Sequence, residues 1–128
     1  MTLRQGDAIE LEVTPDPYVT VRYAGASGDF NPIHIDEEYA RQVGLPGRIL
    51  HGLWTMAQVA RAHTEAAGGP QTLRRLSVQF RGLGQIGEPI VVTGTVRAVD
   101  GESAIVDSEA KQAGRRIIRN AEAEVRTP

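Results

Sequence analysis

The chain has 128 residues, the length of one average domain, so a single domain over 1–128 with one core is expected. With 41% apolar and 23% charged residues it reads as a folded globular chain, while a net charge of −2 and 5% aromatics give no basic or stacking surface for nucleic acid. Having no cysteine, it lacks disulfides, thiolate nucleophiles and cysteine-bound zinc and fits a reducing cytoplasm; no signal-peptide core and no membrane span of roughly 18 apolar residues is present either.

In chain order, Ile9, Leu11 and Val13 alternate with Ala8, Glu10 and Glu12, which predicts a strand over 8–13. Thr14-Pro15-Asp16-Pro17 breaks it. Asp16 as N-cap with Pro17 at the first helical position predicts a short helix over 18–26 that ends at Gly28. Pro32 lacks an N–H and pushes Asn31 out of the α region, so 29–34 is expected to be no regular helix. Carboxylates at Asp36, Glu37 and Glu38 then open a helix that reaches Val43 and stops at Gly44.

A longer helix is expected from His51 to about Ala67, ending at Gly68-Gly69-Pro70. Leu53, Trp54, Met56, Ala57, Val59, Ala60 and Ala62 cover most of its circumference, the mark of a core helix. His63, beside Arg61, Thr64 and Glu65, reads as a surface residue. After Pro70 the period changes from 3.6 to 2. Strands are expected around Leu76, Val78 and Phe80, over 90–99 with Gly94 at a bend or close approach, over 104–110, and over 115–125. Asp100-Gly101 marks a hairpin and Gly114 a second turn. Four strands in hairpin succession after helices predict an α+β fold, an antiparallel sheet curled around one buried helix.

Two features could carry chemistry. In Asp29-Phe30-Asn31-Pro32-Ile33-His34, a carboxylate and an imidazole stand five residues apart, and only a turn such as Asn31-Pro32 brings them to one point. Such a pair can hold and deprotonate water. The same residues also fit a plain turn, with Asp29 as a cap, Asn31 in an Asx-turn and His34 on the surface. The second feature is His51-Gly52 at the head of the long helix. The first N–H groups of a helix have no intrahelical partner and favour a polarised carbonyl, and glycine lets a substrate approach them. No metal is expected, since His34 and Asp36 supply two ligands where three must converge. Arg74, Arg75, Arg81, Arg115 and Arg116 are open to phosphates, with nothing to choose among them.

The stretch Tyr23-Ala24-Gly25-Ala26-Ser27-Gly28-Asp29-Phe30-Asn31-Pro32-Ile33-His34-Ile35-Asp36, followed by Ala40, Gly44 and Ile49-Leu50-His51-Gly52-Leu53, resembles the hydratase 2 motif of the MaoC-like (R)-specific enoyl-CoA hydratases and dehydratases. The resemblance implies a hot-dog fold and reversible hydration of trans-2-enoyl thioesters to (3R)-3-hydroxyacyl thioesters, on CoA or acyl carrier protein, without cofactor. It implies Asp29 and His34 as the catalytic pair, Gly52 as the donor to the thioester oxygen, and Asn31 and His51 as substrate-site residues. It further implies pairing, with a like or an unlike subunit. Two positions depart from the pattern: Ala60 stands where some members carry serine, and segment 81–89 is glycine-rich where Pro-Val is more usual. An acyl-binding subunit of a heteromeric dehydratase and an acyl thioesterase are the alternatives that remain.

Overall fold

The computed structural model describes residues 2–127. Strand β1 (Ala8–Val13) leads into helix α1 (Val19–Ser27), a four-residue helix α2 (Pro32–Ile35), helix α3 (Glu37–Gln42) and the long helix α4 (Gly52–Ala67). A 3-10 turn over Pro70–Thr72 then opens the strands β2 (Leu73–Phe80), β3 (Ile90–Asp100), β4 (Ser103–Gln112) and β5 (Arg115–Arg126). All five strands form one antiparallel sheet in the order β1-β3-β4-β5-β2, and α4 packs against every one of them. The sheet-around-helix expectation therefore holds. No helix among the described residues is long and apolar enough to cross a membrane.

The hairpin succession holds only for β3, β4 and β5. Gly101 (φ 63°) turns β3 into β4, and Ala113-Gly114, both at positive φ, turn β4 into β5. Strand β2 instead crosses to the far edge, where Phe80 pairs with Ile118. Hairpin reading favours the next strand along the chain, but here the connection over 81–89 carries the chain across to β3 beside β1. Gly94 is the expected close approach: a side chain there would meet Asp107 O at 2.6 Å and Ile9 at 3.0 Å.

Other boundaries moved for physical reasons. Asp16 does not cap at Pro17; its carboxylate accepts the Tyr18 N–H at 2.8 Å, and α1 begins at Val19. Residues 29–34 do contain helix, because Pro32 sits at the first helical position, where its missing N–H costs nothing. On β5 the alternation breaks at Asn120, which takes φ 49°: Ile117 and Ile118 are both buried, and Arg119 turns outward.

Helix α4 is buried on one side only. Val59, Ala62 and Ala67 enter the core, with the polar Thr55, Gln58 and Thr64 also buried, while Leu53 is 62% exposed. His63 is a correction as well: it is buried, since it shares a face with Val59 and Ala67, four residues before and after it. Its Nδ1–H donates to Val59 O at 2.8 Å, and its Nε2 has no partner.

Candidate active site

The turn after α1 is built from short polar bonds. Gly28 closes the helix in the left-handed region, and Ser27 Oγ accepts the Asp29 N–H at 3.1 Å. Asp29 Oδ1 accepts the Asn31 N–H, and Asn31 Oδ1 accepts the Ile33 N–H, both at 3.2 Å. Asn31 is thus the N-cap of α2, so the Asx-turn reading is correct for this residue. One helical turn then carries His34 inward, where it is 7% exposed, contrary to the surface reading.

Two further segments complete the site. Ile49 N–H donates to Ile33 O at 3.1 Å and Leu50 N–H to Gly84 O at 2.9 Å, lacing 49–50 between α2 and the glycine-rich segment. That segment is itself clamped. The buried Gln112 side chain accepts the Gln85 N–H at 2.7 Å and donates to Gln85 O and Glu88 O at 2.8 and 2.9 Å. The carbonyl of Ile49 thereby becomes a fixed acceptor, and His34 Nδ1–H donates to it at 2.8 Å. That bond sets the tautomer: Nδ1 carries the proton and Nε2 is a bare lone pair. Nε2 lies 3.8 Å from Asp29 Oδ2. This exceeds direct hydrogen-bond length and suits one water held between them. Asp29, with a side chain 54% exposed, opens the pair to solvent.

His51 closes the back of the site. It is the N-cap of α4 and is 3% exposed. Its Nε2–H donates to the backbone carbonyl of Asp29 at 3.0 Å, and its ring stacks on His34 with centroids 3.8 Å apart. Tyr23 packs against its other side, 4.8 Å between centroids. Gly52 follows as the first residue of α4, so its N–H has no intrahelical acceptor. A side chain there would meet the Phe80 ring at 3.3 Å.

Sequence reasoning therefore brought Asp29, His34, Asn31, His51 and Gly52 to one place. It missed the Ile49 carbonyl, for which side-chain identity carries no signal, and the stacking of the two imidazoles. The two residues it weighed and set aside as metal ligands, His34 and Asp36, do not converge. Asp36 turns away to cap α3, accepting the Tyr39 N–H at 3.0 Å, and the third group near Asp29 and His34 is His51. The ligand atoms of these three lie within 4.8 Å of one another. The two rings are nearly parallel, 21° between planes, and lone pairs lie in ring planes. An ion at about 2.0–2.1 Å from each nitrogen cannot sit in both planes at once. Ala60 offers no hydroxyl to orient Asp29; the Asn31 N–H takes that part.

Comparison with known proteins points to one family. The family model for the MaoC like domain matches residues 4–117. The chain is 30% identical over 94 residues to the peroxisomal enoyl-CoA hydratase 2 of Arabidopsis thaliana, covering 72% of this chain and 29% of that protein. It is 40% identical over 79 residues to the fatty acid synthase subunit beta of Aspergillus oryzae, covering 59% of this chain. The curated relatives are much longer: the chain spans 4% of that synthase subunit. The R-hydratase PhaJ1 of Pseudomonas aeruginosa superposes with a TM-score of 0.89 at 24% identity, over 98% of this chain and 83% of that one. The architecture is the hot-dog fold, and the chain belongs to the MaoC-like hydratase and dehydratase family.

Proposed function

We propose that this chain adds water to trans-2-enoyl thioesters, giving (3R)-3-hydroxyacyl thioesters, and catalyses the reverse dehydration. The observation that carries the reading is the bare Nε2 of buried His34 facing the Asp29 carboxylate across 3.8 Å, beside the free first N–H of α4. A water in that gap donates one hydrogen to each group, leaving an oxygen lone pair for C3 of the substrate. As the C3–O bond forms, one water O–H bond breaks and its proton passes to the pair. The electrons of the C2–C3 double bond move onto the thioester oxygen, where the Gly52 N–H stabilises the enolate. Collapse of the enolate takes a proton at C2 from the pair, so one water is added and the pair is restored.

A preorganised donor of the Gly52 kind contributes about 2.7–4 kcal/mol to such a transition state. No cofactor enters these steps, because the thioester itself acidifies C2. Asn31 and His51 act behind the reacting groups: Asn31 caps α2, and His51 holds the Asp29 backbone. The partners implied are the acyl-CoA or acyl carrier protein thioester and a second subunit, like or unlike.

The direct test is loss of enoyl-thioester absorbance across a panel of chain lengths, with the purified chain alone. Absorbance loss without release of free thiol supports hydration. Thiol release at the same rate identifies a thioesterase and removes the proposal.

A further inference from the structure

Beyond Phe80, which covers Gly52, the surface changes character. The chain leaves β2 at Arg81, whose N–H and that of Gly82 both donate to Ile117 O, at 2.9 and 3.2 Å. A cleft of about 480 Å³ opens there, lined by Arg81, Gly82, Leu83, Arg115, Arg116, Ile117 and Arg119. Four arginines line it and no acidic residue does, in a chain whose net charge is −2; Arg116 also borders a neighbouring cleft that holds Asp107, Glu109 and Glu122. Elsewhere most arginines are matched: Arg22 with Asp16, Arg48 with Glu37, Arg61 with Glu65, Arg75 with Glu122 and Arg97 with Asp107, while Arg74 donates only to Gln71 O. Among the described residues Arg81, Arg115 and Arg116 form no ion pair, and Arg119 donates only to the neutral Gln79, at 3.0 Å. Gly82 lies close against β5, where a side chain would meet Arg116 O at 3.1 Å.

Concentrating four like charges raises the energy of the free protein, and an anion with several phosphates relieves it. Guanidinium groups pair with phosphate through two parallel N–H···O bonds, so the residue type fits as well as the charge. Position supplies the remaining constraint. Phe80 pairs with Ile118, and Arg115 lies three residues back along β5, about 10 Å at the strand rise. The cleft is therefore displaced from the reacting end by a short arm's length along one strand. We infer that Arg81, Arg115, Arg116 and Arg119 bind the phosphates of a nucleotide-bearing thioester carrier, so that the substrate is a CoA thioester held at its 3′-phosphorylated ADP end. The inference rests on the proposed hydratase reading for the identity of the thioester, and the anion site is measurable without it.

The test has two arms. By calorimetry, 3′,5′-ADP is expected to bind the parent chain, and Arg115→Ser/Arg116→Ser is expected to weaken that binding at least about tenfold, with the melting temperature retained because both side chains are exposed. In turnover, the double variant is expected to raise KM for an enoyl-CoA while kcat holds. Its preference for enoyl-CoA over the matching enoyl N-acetylcysteamine thioester, measured as the ratio of kcat/KM values, is expected to fall at least about tenfold. Binding of 3′,5′-ADP that is equal in parent and variant overturns the assignment, as does an unchanged preference. Hydration of an enoyl-acyl carrier protein with no competition by 3′,5′-ADP also overturns it and points to a protein carrier. Nucleotide binding lost in the variant, in a parent that hydrates no thioester, keeps the anion site and removes the hydratase reading.

Discussion

Two buried histidines on or beside α4 make the same first hydrogen bond and end in different surroundings. His34 donates Nδ1–H to Ile49 O, and His63 donates Nδ1–H to Val59 O, each at 2.8 Å. Both therefore carry the same tautomer, with Nε2 bare. At His34 that lone pair faces a carboxylate with more than half of its side chain in solvent. At His63 it faces nothing, and burial holds the ring's pKa below its ordinary value of 6.5, the bond to Val59 only partly opposing this. Neither histidine type, burial nor tautomer separates the two; on the proposed mechanism, the neighbouring charge and the opening to water do.

The largest effect that sharpens this contrast is on turnover. His34→Ala is expected to lower kcat by more than about 100-fold, at the low end of general acid–base contributions, with the fold kept. His63→Leu, which fills a similar volume with apolar atoms, is expected to leave kcat within about threefold, since no bond links His63 to the site. Steady-state kinetics on the same enoyl thioester checks both. If His63→Leu is the more damaging of the two in folded protein, the contrast is reversed.

Next is the donor at the head of α4. Gly52→Val is expected to lower kcat/KM by about 10²–10³ by blocking the thioester oxygen and pushing on Phe80. Its propensity cost at a helix start is about 1 kcal/mol or less, so the melting temperature is expected to move by only a few degrees. A large loss of stability with parental turnover would mean that Gly52 serves packing.

Fold and site were legible to different depths. The period change after Pro70 marked the layers, because burial imposes periodicity on residue type; the apolar residues around α4 marked a core helix, although only one of its sides is buried. The crossing of β2 to the Ile118 edge was not legible, since pairing of residues 38 apart is decided by the whole sheet. Asp29 and His34 were legible as a spacing that only a turn can close. The Ile49 carbonyl that fixes the His34 tautomer was not, because every residue carries a carbonyl. His63 was misread from its charged neighbours Arg61 and Glu65; its spacing from Val59 and Ala67 was the better guide.

The open side of α4 bears on assembly. Leu53 and Phe80, 62% and 54% exposed, lie around Gly52 beside the β2 edge. An uncovered apolar surface next to a free sheet edge favours a second subunit, most simply in a C2 dimer. Light scattering at micromolar concentration is expected to give twice the chain mass, and Leu53→Asp to shift the population toward monomer. An active monomer in the parent protein contradicts this.

The smallest effect is on stability. With its pKa lowered by burial, folded His63 resists a proton that the unfolded chain accepts. Stability is then fully present above about pH 6.5 and is lost as pH falls from there toward the depressed folded value. Between pH 7 and 5 the parent is expected to lose a few degrees of melting temperature more than His63→Leu. The carboxylates with lowered pKa, Asp16, Glu37 and Glu122, have ordinary values of 3.8 to 4.5 and act below this window. Parallel curves for the two proteins over that range would show that His63 titrates freely.

The central claim is that the carboxylate across the gap from His34 Nε2 is what turns a buried imidazole into a catalyst. Asp29→Asn tests it most directly, because the amide oxygen can still accept the Asn31 N–H and keep the turn while the charge is gone. Hydration of an enoyl-CoA by the folded variant, followed as absorbance loss, is predicted to fall by more than about 100-fold in kcat. Turnover within a few-fold of the parent, with circular dichroism unchanged, would contradict the account.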